Sequence, residues 1–218
     1  MRQDYCDITL VLDESGSMEP LENDTIGGVN KFLSDQRKQP GKCVCSIMKF
    51  NHEDHPVFTG RPIQEAPDLT TGTYSPNGNT ALLDALGRAI TEAGDRFRAM
   101  AETERPGKVI VVVITDGEEN SSRRYTKSQV KEMIERQTNT YKWEFVFLGA
   151  NIDAFAEAGG LGIGAGHALH YQATPRGLRL ALGELTANSA DYRIGKKSSM
   201  AWTDQQRREQ EEENSGQS

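Results

Sequence analysis

The stretch Ile8-Thr-Leu-Val-Leu-Asp13-Glu-Ser15-Gly-Ser17 changes character at Asp13. Before it, apolar residues with one Thr among them read as a β-strand. After it come short side chains that carry oxygen, with a glycine between the two serines. In an open α/β sheet, ligands sit beyond the carboxyl ends of the strands. The residues just past each strand end therefore matter more than the strand itself.

Working outward, Cys43 to Phe50, Val109 to Ile114 and Phe145 to Leu148 read as further strands. Val57-Phe58 and Ala168 to Tyr171 are weaker candidates. Between them lie helical patterns. Ile26, Val29, Phe32 and Leu33 share one face. Leu82, Leu83, Leu86, Ile90, Ala93, Phe97 and Met100 keep three-and-four spacing. Val130, Met133 and Ile134 mark a third helix, opened by the capping box Thr126-Lys-Ser-Gln129. Leu178, Leu182 and Leu185 mark a late one, opened by Thr174-Pro175. Strand and helix in alternation imply right-handed crossovers and a mostly parallel sheet covered on both faces. Val109 to Ile114 is apolar throughout and belongs at the centre. Phe50 to Val57 is too short for a helical crossover, so Asn51 to Pro56 reads as a hairpin loop leading to an antiparallel edge strand.

The chain has 218 residues, enough for one large domain, and 36% hydrophobic residues, enough for a core. Its net charge of −7 disfavours nucleic acid, whose phosphates need clustered Lys and Arg. No apolar run approaches a membrane span of roughly 18 residues. These features imply a cytoplasmic protein that binds neither membrane nor nucleic acid. Cys6, Cys43 and Cys45 are expected as reduced buried thiols. Residues 1–195 read as the domain. Residues 196–218 read as a linker, whose Met200 and Trp202 are candidates to dock on the domain, followed by a disordered acidic tail without aliphatic or aromatic residues from Thr203 on.

Three rim loops carry the chemistry. Asp13-Glu14-Ser15-Gly-Ser17 follows the first strand. Thr115-Asp116-Gly117-Glu118-Glu119 follows the central apolar strand. Asn77-Gly-Asn79-Thr80 precedes the long second helix. Asp13 and Asp116 end strands expected to be neighbours. Hydroxyls and two carboxylates suit a hard cation that prefers oxygen and keeps some water, Mg²⁺ or Mn²⁺. The absence of Cys and His disfavours zinc or copper. Singly, each element has a plainer reading: Ser15, Ser17 or Thr80 as a helix N-cap, Asp116-Gly117 as a turn. Together, one element on each of three adjacent loops favours the ion.

These residues resemble a known family. Asp13-x-Ser15-x-Ser17, then Thr80, then Asp116, look like the metal-ion-dependent adhesion site of von Willebrand factor type A domains, and Ile114-Thr-Asp-Gly-Glu118 is similar to the corresponding loop of integrin inserted domains. The resemblance spans roughly residues 4 to 190 and is to a cytosolic domain of bacterial or phage type. It implies a Rossmann-like α/β fold with six strands in the order 3-2-1-4-5-6, strand 3 antiparallel. It implies that Ser15, Ser17 and Thr80 ligate the ion directly and that Asp13 and Asp116 act mostly through water. It implies a binding module rather than an enzyme, one that docks an Asp or Glu of a partner protein. Related prokaryotic domains accompany AAA+ ATPases or stress-resistance operons, which makes such a component a candidate partner. Glu14, Asn79, Glu118, Glu119, Arg123 and Arg124 are the expected partner-facing rim. The alternative is a Mg²⁺-dependent phosphate-ester hydrolase at the same site, which needs a general base. Glu14, Glu118 and Glu119 are the available candidates.

Other motifs weigh less. Gly160-x-Gly162-x-x-Ala165 lies between a helix and a strand, the reverse of a dinucleotide fingerprint's context. His52 and His55 are expected to be solvated. His167 and His170 would face opposite sides of one strand. Asp84 is expected either to hydrogen-bond the loop hydroxyls or to serve as a first-turn acid.

Overall fold

β1 (Arg2–Asp13) is the axis of the molecule, paired in parallel with strands on both sides. The structure, a computed structural model, describes the backbone of residues 1–215 and the side chains of residues 1–212. From β1 the chain passes through α1 (Glu22–Arg37), β2 (Lys42–Phe50), β3 (Asp54–Pro62) and α2 (Leu82–Arg98). It continues through β4 (Pro106–Thr115), α3 (Lys127–Tyr141), β5 (Glu144–Gly149), α4 (Ala154–Gly160), β6 (Ala168–His170), α5 (Pro175–Arg193) and α6 (Asp204–Ser215). The sheet order is β3-β2-β1-β4-β5-β6, and only the β2–β3 pair is antiparallel. This is the α/β architecture expected from the sequence, including both weak strand candidates.

The period-two rule explains why β4 is apolar at successive positions. Ile110, Val112 and Ile114 join the core under α1 and α5, while Val109, Val111 and Val113 join the core under α2, α3 and α4. β1 divides in the same way, but Asp7 and Thr9 occupy its second face. Asp7 is fully buried and accepts two hydrogen bonds from the Arg96 guanidinium of α2, at 2.8 and 3.1 Å. Burial raises its pKa, and Arg96 opposes that rise. On the other side, α1 and α5 pack closely at Gly28, where a Cβ would collide with Leu182.

The expected helix starts hold. Thr126 and Gln129 form the capping box of α3, and Thr174 caps α5 with Pro175 in its first turn. Gly160 to Ala165 is the α4–β6 connection. The three cysteines are free and buried. His167 and His170 do not share a strand: His167 ends a 3-10 turn and bonds Glu144 at 2.8 Å. The helix expected before the Gly160 motif is α4, although Ala and Gly give it little periodicity. The buried run Ile63, Ala66, Leu69 and Tyr74, on a segment without regular structure, escaped the sequence reading.

The C-terminal reading needs correction. Residues 196–202 are not a linker. Met200 and Trp202 are buried in the α1/α5 core, and the Met200 and Trp202 amides donate to Glu144 and to the Gly166 carbonyl, both at 2.9 Å. Residues 204–215 are helical rather than disordered; the tail expected at 216–218 lies outside the described residues. The apolar criterion failed because α6 is held by polar contacts. Thr203 and Gln206 cap its start reciprocally, Gln206 reaches Asn188 and Glu184 on α5, and Arg207 donates to the Ala165 carbonyl at 2.9 Å. The capping pair Thr203-x-x-Gln206 was the available signal.

Trp202→Ala is therefore expected to cost about 3–5 kcal/mol of stability, the usual loss for truncating a buried aromatic. Chemical denaturation checks this. A loss below about 0.5 kcal/mol would place residue 202 outside the core.

Candidate metal centre

Asp13 and Asp116 stand at adjacent carboxyl ends because β1 and β4 pair in register, Leu12 opposite Ile114. Asp13 is fully buried. Its Oδ1 accepts the Ser15 amide at 2.7 Å, its Oδ2 accepts the Thr115 hydroxyl at 2.5 Å, and its carbonyl accepts the Tyr74 hydroxyl at 2.6 Å. Ser15 Oγ lies 3.1 Å from Ser17 Oγ, and Ser17 Oγ donates to Asp116 Oδ1 at 2.5 Å. Gly16 allows the tight turn between the serines, and its amide donates to the Gly78 carbonyl at 3.0 Å.

Gly117 shows where these oxygens converge. A Cβ built there would lie 3.3 Å from Thr80 Oγ1, 3.6 Å from Ser17 Oγ and 4.0 Å from Asp13 Oδ2. Side chains from two loops thus surround one small space beside a glycine of the third. Two carboxylates and three hydroxyls, without Cys or His, match the oxygen preference of a hard divalent cation. Among the described residues there is no group of three His, Cys, Asp or Glu side chains able to hold a metal. A cation here depends on the hydroxyls. The donor set fits.

The electrostatics point the same way. Burial raises the Asp13 pKa to about 6; hydrogen bonds from Thr115 and Ser15 oppose the rise, and the nearby Asp116 adds to it. Burial also raises the pKa of Asp116, against the hydrogen bond from Ser17. Two neighbouring carboxylates with little water and no cation are costly to ionise.

Backbone hydrogen bonds tie the rim loops together. Glu14 N donates to Phe50 O at 2.6 Å, Asn77 N to Glu14 O at 2.8 Å, Ala81 N to Asn51 O at 2.6 Å, and Asn120 N to Thr80 O at 3.0 Å. Thr80 is no helix N-cap: α2 begins after Ala81, and the Thr80 amide donates to Asn120 Oδ1 at 3.0 Å. Ser15 precedes a 3-10 turn without capping it through its side chain.

The expected partner-facing residues divide. Asn79, Glu118 and Arg123 are exposed on the rim. Glu14 is not available: it is buried, pairs with Lys49 at 2.9 Å and accepts the Ser75 amide at 2.5 Å. Glu119 turns back into its own loop. It accepts the amides of Leu83, Ser121 and Ser122 and the Ser122 hydroxyl, so it joins the 116–122 loop to the start of α2. Arg124 is drawn to Asp54 and Asp84. The Asp84 carboxylate accepts the amides of Arg123, Arg124 and Tyr125 at 2.8 to 2.9 Å rather than the hydroxyls of Ser15, Ser17 or Thr80, and its own amide donates to Ser122 Oγ at 3.1 Å. Spacing alone cannot distinguish an acid that faces solvent from one that ties a loop. Two contributors were missed. Tyr74 supports Asp13 from a distant loop. His52, exposed as expected, stands against Gly78 on the rim.

Comparison with known proteins agrees with this geometry. No curated protein matches the chain in sequence. A structure of proximal thread matrix protein 1 from the mussel byssus, with a zinc-occupied MIDAS motif, superposes with a TM-score of 0.57 at 15% identity, covering 85% of this chain and 46% of that one. A von Willebrand factor type A protein from Catenulispora acidiphila gives 0.55 at 16%, covering 84% and 42%. The vWF domain of the pilus tip protein Mfa5 from Porphyromonas gingivalis gives 0.58 at 11%, covering 88% and 96%. The chain spans less than half the length of the first two, and identities this low speak for the fold alone. The family model for the von Willebrand factor type A domain matches residues 7–154. That stretch is more than half of the chain and runs from β1 through both carboxylates of the rim, and the chain belongs to the von Willebrand factor type A domain family.

Proposed function

We propose that this chain is a protein-binding module whose rim holds a divalent cation, Mg²⁺ or Mn²⁺, and docks an Asp or Glu side chain of a partner protein. The observation that carries the reading is the convergence of Asp13, Ser17 and Thr80 oxygens on the space beside Gly117. Ser15, Ser17 and Thr80 would ligate the cation, with Asp13 and Asp116 supplying the charge. When bound, the cation supplies a hard Lewis acid that accepts a further carboxylate oxygen.

The chain's own residues prepare that contact. Asp13 is fixed by Ser15 and Thr115, and Asp116 by Ser17, so little ordering remains to be done on binding. Asn79, Glu118, Arg123 and His52 are exposed around the site and would contact the partner. Exposed Glu118 would repel an acidic partner in the absence of the cation. The hydrolase reading gains no support here. Glu14 and Glu119 have their carboxylates engaged in an ion pair or hydrogen bonds, which leaves Glu118, among the described residues, as the carboxylate of the three candidates without such a bond.

Saturating Mg²⁺ or Mn²⁺ is expected to raise the melting temperature, because a ligand at about 100 times its Kd adds roughly 2.7 kcal/mol. Asp116→Ala should abolish the shift; equal shifts in both proteins would remove the cation from this rim. The effect should depend on pH. The Asp13 pKa is about 6 in the cation-free fold, above its ordinary value, so the folded state binds that proton more tightly than the unfolded chain does. The cation-free fold therefore loses stability as pH rises from about 4 through 6, by on the order of 3 kcal/mol. A cation binds the ionised form, so protons compete with it. The thermal shift should be large at pH 7.5 and small at pH 5, and a flat profile would disconnect Asp13 from the cation. Finally, affinity capture in Mg²⁺ should retain a partner that EDTA, Ser17→Ala and Thr80→Ala each release. Equal recovery in all four arms would place the interface elsewhere.

A further inference from the structure

A second concavity lies at the opposite end of the sheet, where β4 begins. It has a volume of about 360 Å³ and opens between the carboxyl ends of α2 and α3. Phe97, Val109 and Trp143 form its apolar floor, all at most 7% exposed. Phe97 and Trp143 meet edge to face with ring centroids 5.5 Å apart, which fixes both rings. Val109 is seven residues from Asp116, so roughly 23 Å of strand separates this cavity from the cation rim. Nothing proposed for the rim uses it.

Three guanidinium groups line it: Arg98, Arg105 and Arg136. Glu102 is the one carboxylate on the wall. Arg98 pairs with exposed Asp95 at 2.5 Å. Arg105 uses Nε to donate to the Met100 carbonyl at 3.2 Å and has no ion pair among the described residues. Arg136 has no carboxylate partner among the described residues either. Arg105 and Arg136, which line the same cavity over a fixed aromatic floor, form an anion site with an apolar body. Guanidinium groups bind carboxylate and phosphate through paired hydrogen bonds, and also stack on flat rings. The volume lies within the range of small-molecule sites.

We propose that this cavity binds a planar aromatic anion, its flat body against Phe97 and Trp143 and its acidic group between Arg105 and Arg136. The ligand class is thus an aromatic phosphate or carboxylate, of which a nucleoside monophosphate is one example.

The test is calorimetric titration of the full chain with adenosine 5′-monophosphate, adenosine and inorganic phosphate, in EDTA. The monophosphate is expected to bind with a Kd below about 1 mM, and each of its parts at least 10-fold more weakly. Arg136→Ala, on the exposed face of α3, should weaken binding by roughly 10–100-fold, the usual effect of losing a charge-assisted hydrogen bond, without changing the melting temperature. Asp116→Ala should leave binding unchanged. No binding of the monophosphate, binding equal to that of phosphate or of adenosine, an unchanged affinity in Arg136→Ala, or a loss in Asp116→Ala would each overturn the proposal. None of these results bears on the cation rim, whose own failure would be read in the thermal shift.

Discussion

The hydrogen bond between Thr115 Oγ1 and Asp13 Oδ2 crosses the one strand pair on which everything else is hung. β1 and β4 lie at the middle of the sheet, so both are shielded on each face and on each edge. A polar side chain at the end of such a strand has lost most of its water. It must find partners within the protein or carry an uncompensated cost. Asp13 finds Thr115, the Ser15 amide and, through its carbonyl, Tyr74. The same bonds that satisfy it fix the position of the carboxylate. Satisfaction of a buried acid and preparation of a binding site are here one structural act.

Charge balance explains what those bonds leave undone. Hydrogen bonds stabilise the ionised form of Asp13, yet burial still dominates and the group remains hard to ionise. Asp7, on the same strand, shows the alternative. It is equally buried, but Arg96 reaches it with two hydrogen bonds, and the site is closed. Basic side chains come near the rim without reaching its carboxylates: Lys49 is committed to Glu14 and Arg124 to Asp54 and Asp84. Among the described residues, the buried acids are paired with the protein's own cations except at Asp13 and Asp116.

Much of the fold was legible because period and punctuation agreed. The apolar run 109–114 could only be a central strand, and the capped starts at Thr126 and Thr174 were read from type and spacing alone. The five ligand candidates were legible for a related reason: each lies within two residues of a strand end or a helix start, where sequence position fixes spatial position. The supporting residues were hidden because their partners lie far away in the chain. Tyr74 meets Asp13 across 61 positions. Glu14 reads as a surface acid because the Ser75 amide it accepts lies 61 positions away, and Glu119 because the Leu83 amide that ties it to α2 lies 36 positions away. The C-terminal segment was misread because hydropathy registers what a helix can bury, whereas α6 is held by a cap and by Asn188 and Glu184 on α5.

The register of β1 also has a mechanical meaning. It pairs with β2 from Tyr5 to Asp13 and with β4 from Cys6 to Leu12, both in parallel, and Asp13 is its last residue. A partner pulling on the rim would load β1 along its own axis. The hydrogen bonds on both of its edges would then be strained together, in shear, rather than opened one after another. A strand at the sheet's edge, gripped at its end, would peel. A tether anchored at Asp13 draws on the whole centre of the sheet, so a non-covalent contact at this rim would be expected to break before the domain that presents it.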